Sequence, residues 1–259
     1  MTREEIAATY GAAADCFDLP ALGFWDRLGR RTLERASAAP GQMVLDVCCG
    51  SGASALPAAH AVAPGGRVIG VDLAAPLLAL ARAKALAQDL RNAEFRQADF
   101  DQVYFRPDSF HTVLCAFGLF FFPDMAASLQ KMWRFVRPGG TLVVTVWAKD
   151  ALEPLHSTFW DAVRRVRPDL DKKVHTRDKL SDPSALRDLF AFPVEIEAED
   201  ASQAVVDPED WWTIAMGSSY RATIELLTAE ERDQVRSACL ALGSATLRTP
   251  ALYAVARKS

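Results

Sequence analysis

The chain has 259 residues, half of them hydrophobic, and a formal net charge of −4. This is enough apolar material for one large domain, or for one domain with insertions. The acidic balance, with no strong basic stripe, argues against a protein that coats nucleic acid. No run approaches the roughly 18 apolar residues that cross a bilayer, which predicts no integral membrane association. We also expect no secretory leader, because the first residues contain no apolar segment of sufficient length.

The five cysteines are scattered along the chain, at positions 16, 48, 49, 115 and 239. They form no C-x-x-C pair, and the neighbours Cys48 and Cys49 cannot readily form a disulfide with each other without strain. An odd number of scattered cysteines is typical of free thiols in a reducing compartment, so we expect a cytoplasmic protein. Clustered Cys/His patterns with metal-ligand spacing are not seen, which predicts no metal site.

The N-terminal residues 3–38 carry apolar side chains at roughly helical spacing, with breaks expected near Gly11 and at Pro20. We therefore predict that residues 1–40 form a helical lid. Tyr10 lies in this segment, where an aromatic ring can cover a cofactor and stabilise a nearby cation by roughly 0.5–2 kcal/mol. Plain core packing explains this tyrosine at least as well.

The next element is a buried strand predicted over 42–48, which is apolar and carries one acid, Asp46. The strand ends at a turn that contains Gly50 and Gly52, and an Ala-rich helical stretch follows. Glycines let the backbone approach a ligand closely, and a helix N-terminus offers unpaired N–H groups. An acid inside a strand costs free energy unless it meets a cation or hydrogen-bond donors.

A second apolar run, residues 67–71, ends in Asp72, twenty residues after Gly52. An acid at the tip of the second strand is placed to accept hydrogen bonds from both hydroxyls of a ribose. Together with the glycine turn, it predicts a site for a cofactor that contains a nucleoside.

The alternation of strand and helix continues through residues 41–150. Further strands are expected at 93–98, 111–117 and 141–147, and helices at 76–90 and 124–136. This order predicts an α/β fold with a doubly wound, mostly parallel sheet. Ligands of such sheets bind outside the carboxyl ends of the strands, where Asp99 and the turn at Phe117 also fall.

After residue 150 the alternation loosens. A helix is expected over 182–190, a strand over 194–206, mainly helix over 208–242, and a strand-like segment over 245–257. We expect residues 151–259 to complete the sheet and to add helical insertions that cap the substrate.

The choice of cofactor depends on more than the glycines, because the G-x-G-x-x-A pattern from Gly50 also fits a dinucleotide. Three features favour S-adenosylmethionine over NAD(P). The ammonium of its methionine part suits Asp46, whereas a pyrophosphate would be repelled. Asp99 can accept a hydrogen bond from an adenine amino group while Phe100 packs by the ring. A hydride-transfer constellation such as Tyr-x-x-x-Lys is not seen.

Five stretches carry a resemblance to one enzyme family: VLDVCCGSG (44–52), GVDL (70–73), ADF (98–100), CAFGLFFFPD (115–124) and RPGGTLVVTVW (137–147). They resemble the class I S-adenosylmethionine-dependent methyltransferases, and within them the group related to the ubiquinone/menaquinone C-methyltransferases. The resemblance covers about residues 40–150. It implies a Rossmann-like sheet of seven strands with helical lid insertions, in which one antiparallel strand can come from residues 245–257.

The resemblance also implies binding roles. The glycine turn surrounds the methionine part, the acid of GVDL binds the ribose, and the acid and ring of ADF bind the adenine. The full set predicted to bind the cofactor is Tyr10, Asp46, Cys48, Gly50, Ser51, Gly52, Asp72, Leu73, Asp99, Phe100 and Phe117. Two departures stand out: Cys48 occupies a position where the family often has glycine, and residues 148–243 do not look like the quinone enzymes.

The implied reaction is in-line transfer of a sulfonium methyl group to a small, fairly hydrophobic acceptor (EC 2.1.1.-). Side chains considered for contacts with the acceptor are Phe120, Phe121, Phe122, Trp147, His156, His175, Trp211 and Tyr220. We assign no catalytic residue, since a lone histidine in a polar helix more often lies at the surface. An NAD(P)-dependent oxidoreductase and a non-catalytic S-adenosylmethionine-binding protein remain as alternatives.

Overall fold

The computed structural model describes residues 2–171 and 176–259. The strands in these ranges are β1 (Met43–Val47), β2 (Arg67–Asp72), β3 (Ala93–Gln97), β4 (Phe110–Ala116), β5 (Val136–Trp147), β6 (Glu195–Glu199), β7 (Ser202–Val205), β8 (Ala245–Arg248) and β9 (Ala251–Arg257). The helices are α1 (Arg3–Ala13), α2 (Phe24–Glu34), α3 (Ala55–Val62), α4 (Ala75–Ala87), α5 (Met125–Phe135), α6 (Leu155–Val166), α7 (Pro183–Arg187), α8 (Glu209–Met216), α9 (Arg221–Ile224) and α10 (Ala229–Leu240).

Seven strands form the main sheet in the order β3-β2-β1-β4-β5-β9-β6. Strands β1 to β5 run parallel, and β9 is antiparallel to both of its neighbours. The prediction of a doubly wound, mostly parallel seven-stranded sheet is therefore confirmed. The strand order reverses between β1 and β4, and such a switch point opens a crevice at the carboxyl ends of the strands.

Both faces of the sheet are covered, which explains why β1 is apolar along almost its whole length. On one face Val44 packs with the small residues of α3 and α4, whose alanines let these helices lie close to the sheet. On the other face Leu45 and Val47 pack with α5. Among the described residues, no helix is long and apolar enough to cross a membrane.

Several predicted elements differ from the structure. The strand expected over 194–206 is divided at Asp200: β6 extends the main sheet, whereas β7 pairs with β8 in a separate two-stranded ladder. The segment expected over 245–257 is likewise divided into β8 and β9. The predicted break near Gly11 is wrong, because α1 runs through this glycine to Ala13.

The N-terminal segment lies against the carboxyl edge of the sheet. Helix α1 begins with a capping box between Thr2 and Glu5, which satisfies backbone N–H groups at its first turn. The helix contacts α4 and α9, and α2 is joined to β5 by a 2.7 Å hydrogen bond between the hydroxyls of Thr32 and Thr145. These contacts fix the position of the N-terminal segment over the switch point.

Candidate functional site

A cavity opens at the carboxyl ends of β1, β2 and β4, with about 1010 Å³ of empty space including its open mouth. The turn after β1 and the acids after β2 and β3 form one side. The other side is aromatic and consists of Tyr10, Phe17, Trp25, Phe100, Phe117, Phe121 and Phe122. The sequence predicts four features at the strand ends: the glycine turn, Asp72, Asp99 and the turn at Phe117. All four lie around this one cavity.

The turn after β1, residues 48–52, has three residues in the left-handed backbone region. The φ angles are +58° at Cys48, +53° at Gly50 and +91° at Gly52. Glycine adopts such angles without steric cost, whereas a side chain at this φ is strained. The sequence departure at Cys48 therefore places a strained cysteine in the cavity wall.

Asp46 lies in β1 beneath this turn and is fully buried. Its Oδ2 accepts a 2.7 Å hydrogen bond from Ser54 Oγ, and its Oδ1 has no hydrogen-bond partner among the described residues. Burial raises the pKa of this carboxyl group to about 7, and the nearby Asp72 also raises it. Ser54 lines the cavity but Asp46 does not, so the acid acts from one layer behind the wall.

Asp72 ends β2 and holds the turn in place. Its Oδ2 accepts a 2.8 Å hydrogen bond from the backbone N–H of Gly50, and its Oδ1 accepts one of 2.9 Å from that of Ala74. Burial raises the pKa of this carboxyl group, although these backbone bonds favour its charged form. A carboxylate has about four acceptor positions, so Asp72 keeps acceptor capacity for a ligand in the cavity.

Asp99 follows β3 and forms an ion pair with Arg3 of α1, which also pairs with Asp101. The neighbouring ring of Phe100 is 3% exposed and packs edge-on against Phe122 at a centroid distance of 5.8 Å. Both Asp99 and Phe100 line the cavity. Helix α1 is thereby attached at the end of the cavity where the sequence predicts the adenine.

The aromatic side begins with Tyr10, whose ring lies 5.4 Å from that of Phe121. Phe17 and Trp25 stack with ring centroids 5.5 Å apart and planes inclined by 5°. Phe117 follows β4 with a φ of +56°, a strained value for a residue with a side chain. Its ring lies 5.4 Å from that of Trp25, so the N-terminal segment and the sheet edge form one apolar surface.

The family of the chain follows from comparison with known proteins. The model of the ubiE/COQ5 methyltransferase family matches residues 3–179, more than half of the chain. The chain belongs to this family. Its membership confirms the predicted resemblance and agrees with S-adenosylmethionine as the predicted cofactor.

Individual relatives cover less of the chain. It is 34% identical to nocamycin O-methyltransferase of Saccharothrix syringae over 132 residues, which are 51% of this chain and 47% of the relative. It is 30% identical to the ubiquinone/menaquinone biosynthesis C-methyltransferase UbiE of Coxiella burnetii over 172 residues, which are 66% of this chain and 68% of the relative. The chain spans about half the length of the first curated relatives it matches, between 47% and 56%.

The fold is shared with solved structures. The YcgJ protein of Bacillus subtilis aligns with a TM-score of 0.59 at 17% identity, covering 90% of this chain and 99% of that one. At this identity the similarity shows the fold alone. It supports the Rossmann-like architecture found in this member of the ubiE/COQ5 family.

Nine of the eleven residues predicted to bind a cofactor line the cavity of this family member. They are Tyr10, Cys48, Gly50, Ser51, Asp72, Leu73, Asp99, Phe100 and Phe117. Asp46 lies behind the wall, as described above. Gly52 is also behind it and packs toward the helix, since a Cβ atom built there would lie 3.0 Å from Leu56 Cγ. The cofactor-binding role of the whole set stays a prediction.

Most side chains considered for contacts with the acceptor lie outside the lining. His156 is bonded to Tyr220 with 2.8 Å between Nδ1 and the phenol oxygen. Trp211 is fully buried, and its Nε1 donates to the carbonyl oxygen of Gly243 at 2.8 Å. Trp147 and Phe120 pack beside the cavity, whereas Phe121 and Phe122 line it. His175 lies outside the described residues.

The cavity residues that sequence reasoning did not select include Arg3, Phe17 and Trp25. All three belong to the N-terminal segment, which was predicted as a lid but from which only Tyr10 was selected. The aromatic residues near Pro20 were the available signal. Arg3 gave no comparable signal, because the two acids with which it pairs are 96 and 98 residues away in the sequence.

The cysteines near the cavity are thiols packed against each other. Cys48 and Cys49 line the cavity, and Cys115 is fully buried. The pKa of the Cys48 thiol is raised well above its usual value, mainly by hydrogen bonding to Cys115 and, as the second cause, by burial. A thiol with a raised pKa is a poor nucleophile at neutral pH. In residues 2–171 and 176–259, no group of three or more potential metal ligands is found.

Proposed function

We propose that this protein is an S-adenosylmethionine-dependent methyltransferase (EC 2.1.1.-) that acts on a small, fairly hydrophobic acceptor. The observation that carries this proposal is the composition of the cavity at the switch point. A glycine turn with Asp72 and Asp99 forms its one side, and an aromatic surface forms the other. A polar cofactor and an apolar acceptor can meet there.

The residues present fit the cofactor. Asp46 carries a buried oxygen with no hydrogen-bond partner among the described residues, next to the turn that we propose for the methionine part. Asp46 lies one layer behind the wall, and an ammonium group bound at this point would lower the pKa of its carboxyl group and favour the charged form. Asp72 has acceptor capacity for the ribose, and Asp99 with Phe100 lies where the adenine is proposed. When bound, S-adenosylmethionine supplies a methyl group on an already activated sulfonium.

The protein itself then aligns the cofactor with the acceptor and excludes water from the site. Aligning two bound reactants is worth several orders of magnitude in rate, and a closed apolar site strengthens the electrostatic interactions within it. We propose that residues 1–40 act as a lid, that 41–150 bind the cofactor and that 151–259 add the substrate cap. Tyr10, Phe17 and Trp25 bring the lid onto the cavity. No residue is assigned as a general base.

The proposal also covers the kind of partner and the cellular location, and both follow from the composition of the chain. The net charge of −4 and the apolar cavity wall support a small-molecule acceptor and no nucleic-acid partner. The five cysteines are free thiols, which supports a cytoplasmic location.

The first test is calorimetric titration of the purified chain with S-adenosylmethionine and, separately, with NADH. We expect micromolar binding of S-adenosylmethionine that is lost in Asp72→Ala. Asp89→Ala is the matched control, because Asp89 is 81% exposed and does not line the cavity. Binding of NADH without binding of S-adenosylmethionine would overturn the proposal and favour a dinucleotide enzyme.

Methyl transfer itself is measured as release of S-adenosylhomocysteine. The apolar probe 2-naphthol is compared with glycine as a polar probe at equal concentration. We expect release with 2-naphthol above the background without acceptor, and none with glycine. Release with glycine alone would contradict a hydrophobic acceptor. Binding of S-adenosylmethionine without release would favour a non-catalytic binding protein.

A further inference from the structure

Lys131 on α5 contacts the turn that carries Asp99 and Phe100. Its Nζ donates a hydrogen bond of 2.7 Å to the carbonyl oxygen of Phe100 and one of 2.9 Å to that of Asp101. The same Nζ lies over the Phe100 ring, 5.0 Å from its centroid, a distance at which a cation is attracted to an aromatic face. One ammonium group therefore holds two consecutive carbonyls and a ring of this turn.

The turn itself is too short to fix its own end. It is a 3₁₀ helix of three residues, Phe100–Gln102. The hydrogen-bond geometry of a 3₁₀ helix is poorer than that of an α-helix, and the last carbonyls of a helix need partners from outside its own ladder. Lysine side chains can satisfy such carbonyls. Lys131 does so from a position about 30 residues later in the chain.

Asp101 transmits this contact to Asp99. The carbonyl of Asp101 accepts from Lys131, whereas its backbone N–H donates a 2.9 Å hydrogen bond to Asp99 Oδ1. The ion pair with Arg3 uses Oδ1 as well, so Asp99 Oδ2 keeps acceptor capacity for a ligand in the cavity. The direction in which the carboxylate points is thus set by the turn.

Lys131 reaches the turn from behind. Asp99 and Phe100 line the cavity, but Lys131 does not. It lines a surface groove instead, together with Asp101 and Gln102. The turn separates the cavity from this groove, so any effect of Lys131 on a ligand has to pass through the turn.

We propose that Lys131 is a positioning residue for the adenine end of the site, which fixes Asp99 so that its Oδ2 accepts a hydrogen bond from the adenine amino group. The assignment rests on the proposed function and adds to it a residue that does not touch the cofactor. Hydrogen bonds to a charged acceptor are strong, and they weaken steeply when donor and acceptor are misaligned. A displaced turn should therefore cost recognition of the amino group.

The test compares S-adenosylhomocysteine with S-inosylhomocysteine, in which an oxygen atom replaces the adenine amino group. Both are titrated calorimetrically into the wild type and into Lys131→Met, which keeps an apolar stem of similar length and removes the ammonium. The wild type should bind S-adenosylhomocysteine at least about 10-fold more tightly, because Asp99 meets a donor in this compound and an acceptor in the other. In Lys131→Met the preference should fall below about threefold, since the carboxylate is no longer aligned.

Arg134→Met is the matched control. Arg134 is exposed, lies one helical turn later on α5 and lines the same groove, so this variant removes a cation without touching the carbonyls of the turn. It should keep the wild-type preference, and loss of preference here would assign the effect to the charge of the groove and overturn the proposal.

Three further results decide the proposal. A preference that persists in Lys131→Met, even with both compounds bound more weakly, would show that Lys131 only supports the fold. A wild type that binds both compounds but does not prefer S-adenosylhomocysteine would show that the amino group is not recognised. Either result overturns the assignment and leaves the proposed function standing. A wild type that binds neither compound refutes the proposed function itself, and the assignment with it.

Lys131→Ala covers the case in which Lys131→Met does not fold. Alanine has the highest helix propensity, so it suits this position in α5 while it removes both hydrogen bonds to the turn. Urea unfolding establishes that the variant is folded before it is titrated. The same loss of preference is expected, and a folded Lys131→Ala with the wild-type preference would contradict the assignment.

Discussion

Gly118 faces Cys48 so closely that a Cβ atom built on Gly118 would lie 2.5 Å from the Cβ atom of Cys48 and 2.8 Å from its Sγ atom. Gly118 follows β4 and Cys48 follows β1, so this contact joins the two strands at the switch point. The φ angle of Gly118 is −104°, which any residue can adopt. The glycine is therefore required here for space and not for backbone freedom.

Replacing this glycine should displace the turn that carries Cys48. We expect Gly118→Ala to lower the free energy of unfolding by about 1–3 kcal/mol, because overpacking a close contact forces its neighbours to shift. Cys48→Gly removes the two nearest of these atoms, leaving only Cys115 Sγ at 3.1 Å, and it suits the φ of +58° at that position. The double variant should recover most of the loss.

Urea unfolding of the wild type, the two single variants and the double variant forms a double-mutant cycle. A coupling free energy of at least about 1 kcal/mol is expected. If the effects of the two substitutions simply add, the contact between Gly118 and Cys48 does not determine the stability of this turn.

The site features that the sequence predicts well are those set by local pattern. The strand, the glycine turn and the acid of β2 are close in sequence, and parallel strands bring their carboxyl ends to one edge. Asp72 and Asp99 could be placed in the cavity for this reason. The same rule placed Phe117 at the end of β4.

The features that the sequence did not show depend on contacts between distant segments. The sequence predicts that Asp46 binds the cofactor, but side chains of a strand alternate between faces and its carboxyl group lies beneath the turn. The division of residues 194–206 at Asp200 depends on which strand pairs with β7, and its partner β8 comes about 40 residues later. The stacking of Phe17 on Trp25 likewise appears only when the N-terminal segment is folded onto the sheet.

The ion pairs of Arg3 are expected to slow the opening of the lid. Helix α1 buries only Ile6, Thr9 and Ala13 among its described residues, so its first turn depends on the bonds from Arg3 to Asp99 and Asp101. We expect Arg3→Gln to raise the dissociation rate of S-adenosylhomocysteine about three- to tenfold. Its effect on the free energy of unfolding should stay below about 1 kcal/mol, since these side chains remain partly exposed.

Stopped-flow dissociation with excess unlabelled ligand measures this rate. Arg91→Gln is the control, because Arg91 and its partner Asp89 are both more than 80% exposed. Raising the ionic strength should speed dissociation from the wild type and from the control, but less from Arg3→Gln. A dissociation rate in Arg3→Gln equal to that of the wild type would show that the pair does not hold the lid.

The carboxyl group of Asp46 predicts a pH dependence of stability in the ligand-free protein. Its pKa is about 7 in the folded chain, against an ordinary value of 3.8, because burial disfavours the charge. Between these values the folded chain holds a proton that the unfolded chain has released. The free energy of unfolding should therefore fall as the pH rises through this window, by roughly 1–4 kcal/mol in total.

Asp46→Asn removes this ionisation and keeps an oxygen that can accept the hydrogen bond from Ser54. We expect the variant to match the wild type in stability near pH 4 and to exceed it near pH 8, as measured by urea unfolding across the range. Part of the slope should remain in the variant, since burial also raises the pKa of Asp72. Asp89→Asn, at an exposed position, should follow the wild type at every pH. A variant with the same slope as the wild type would show that Asp46 is already ionised in the folded chain, stabilised by donors such as the Ser54 hydroxyl.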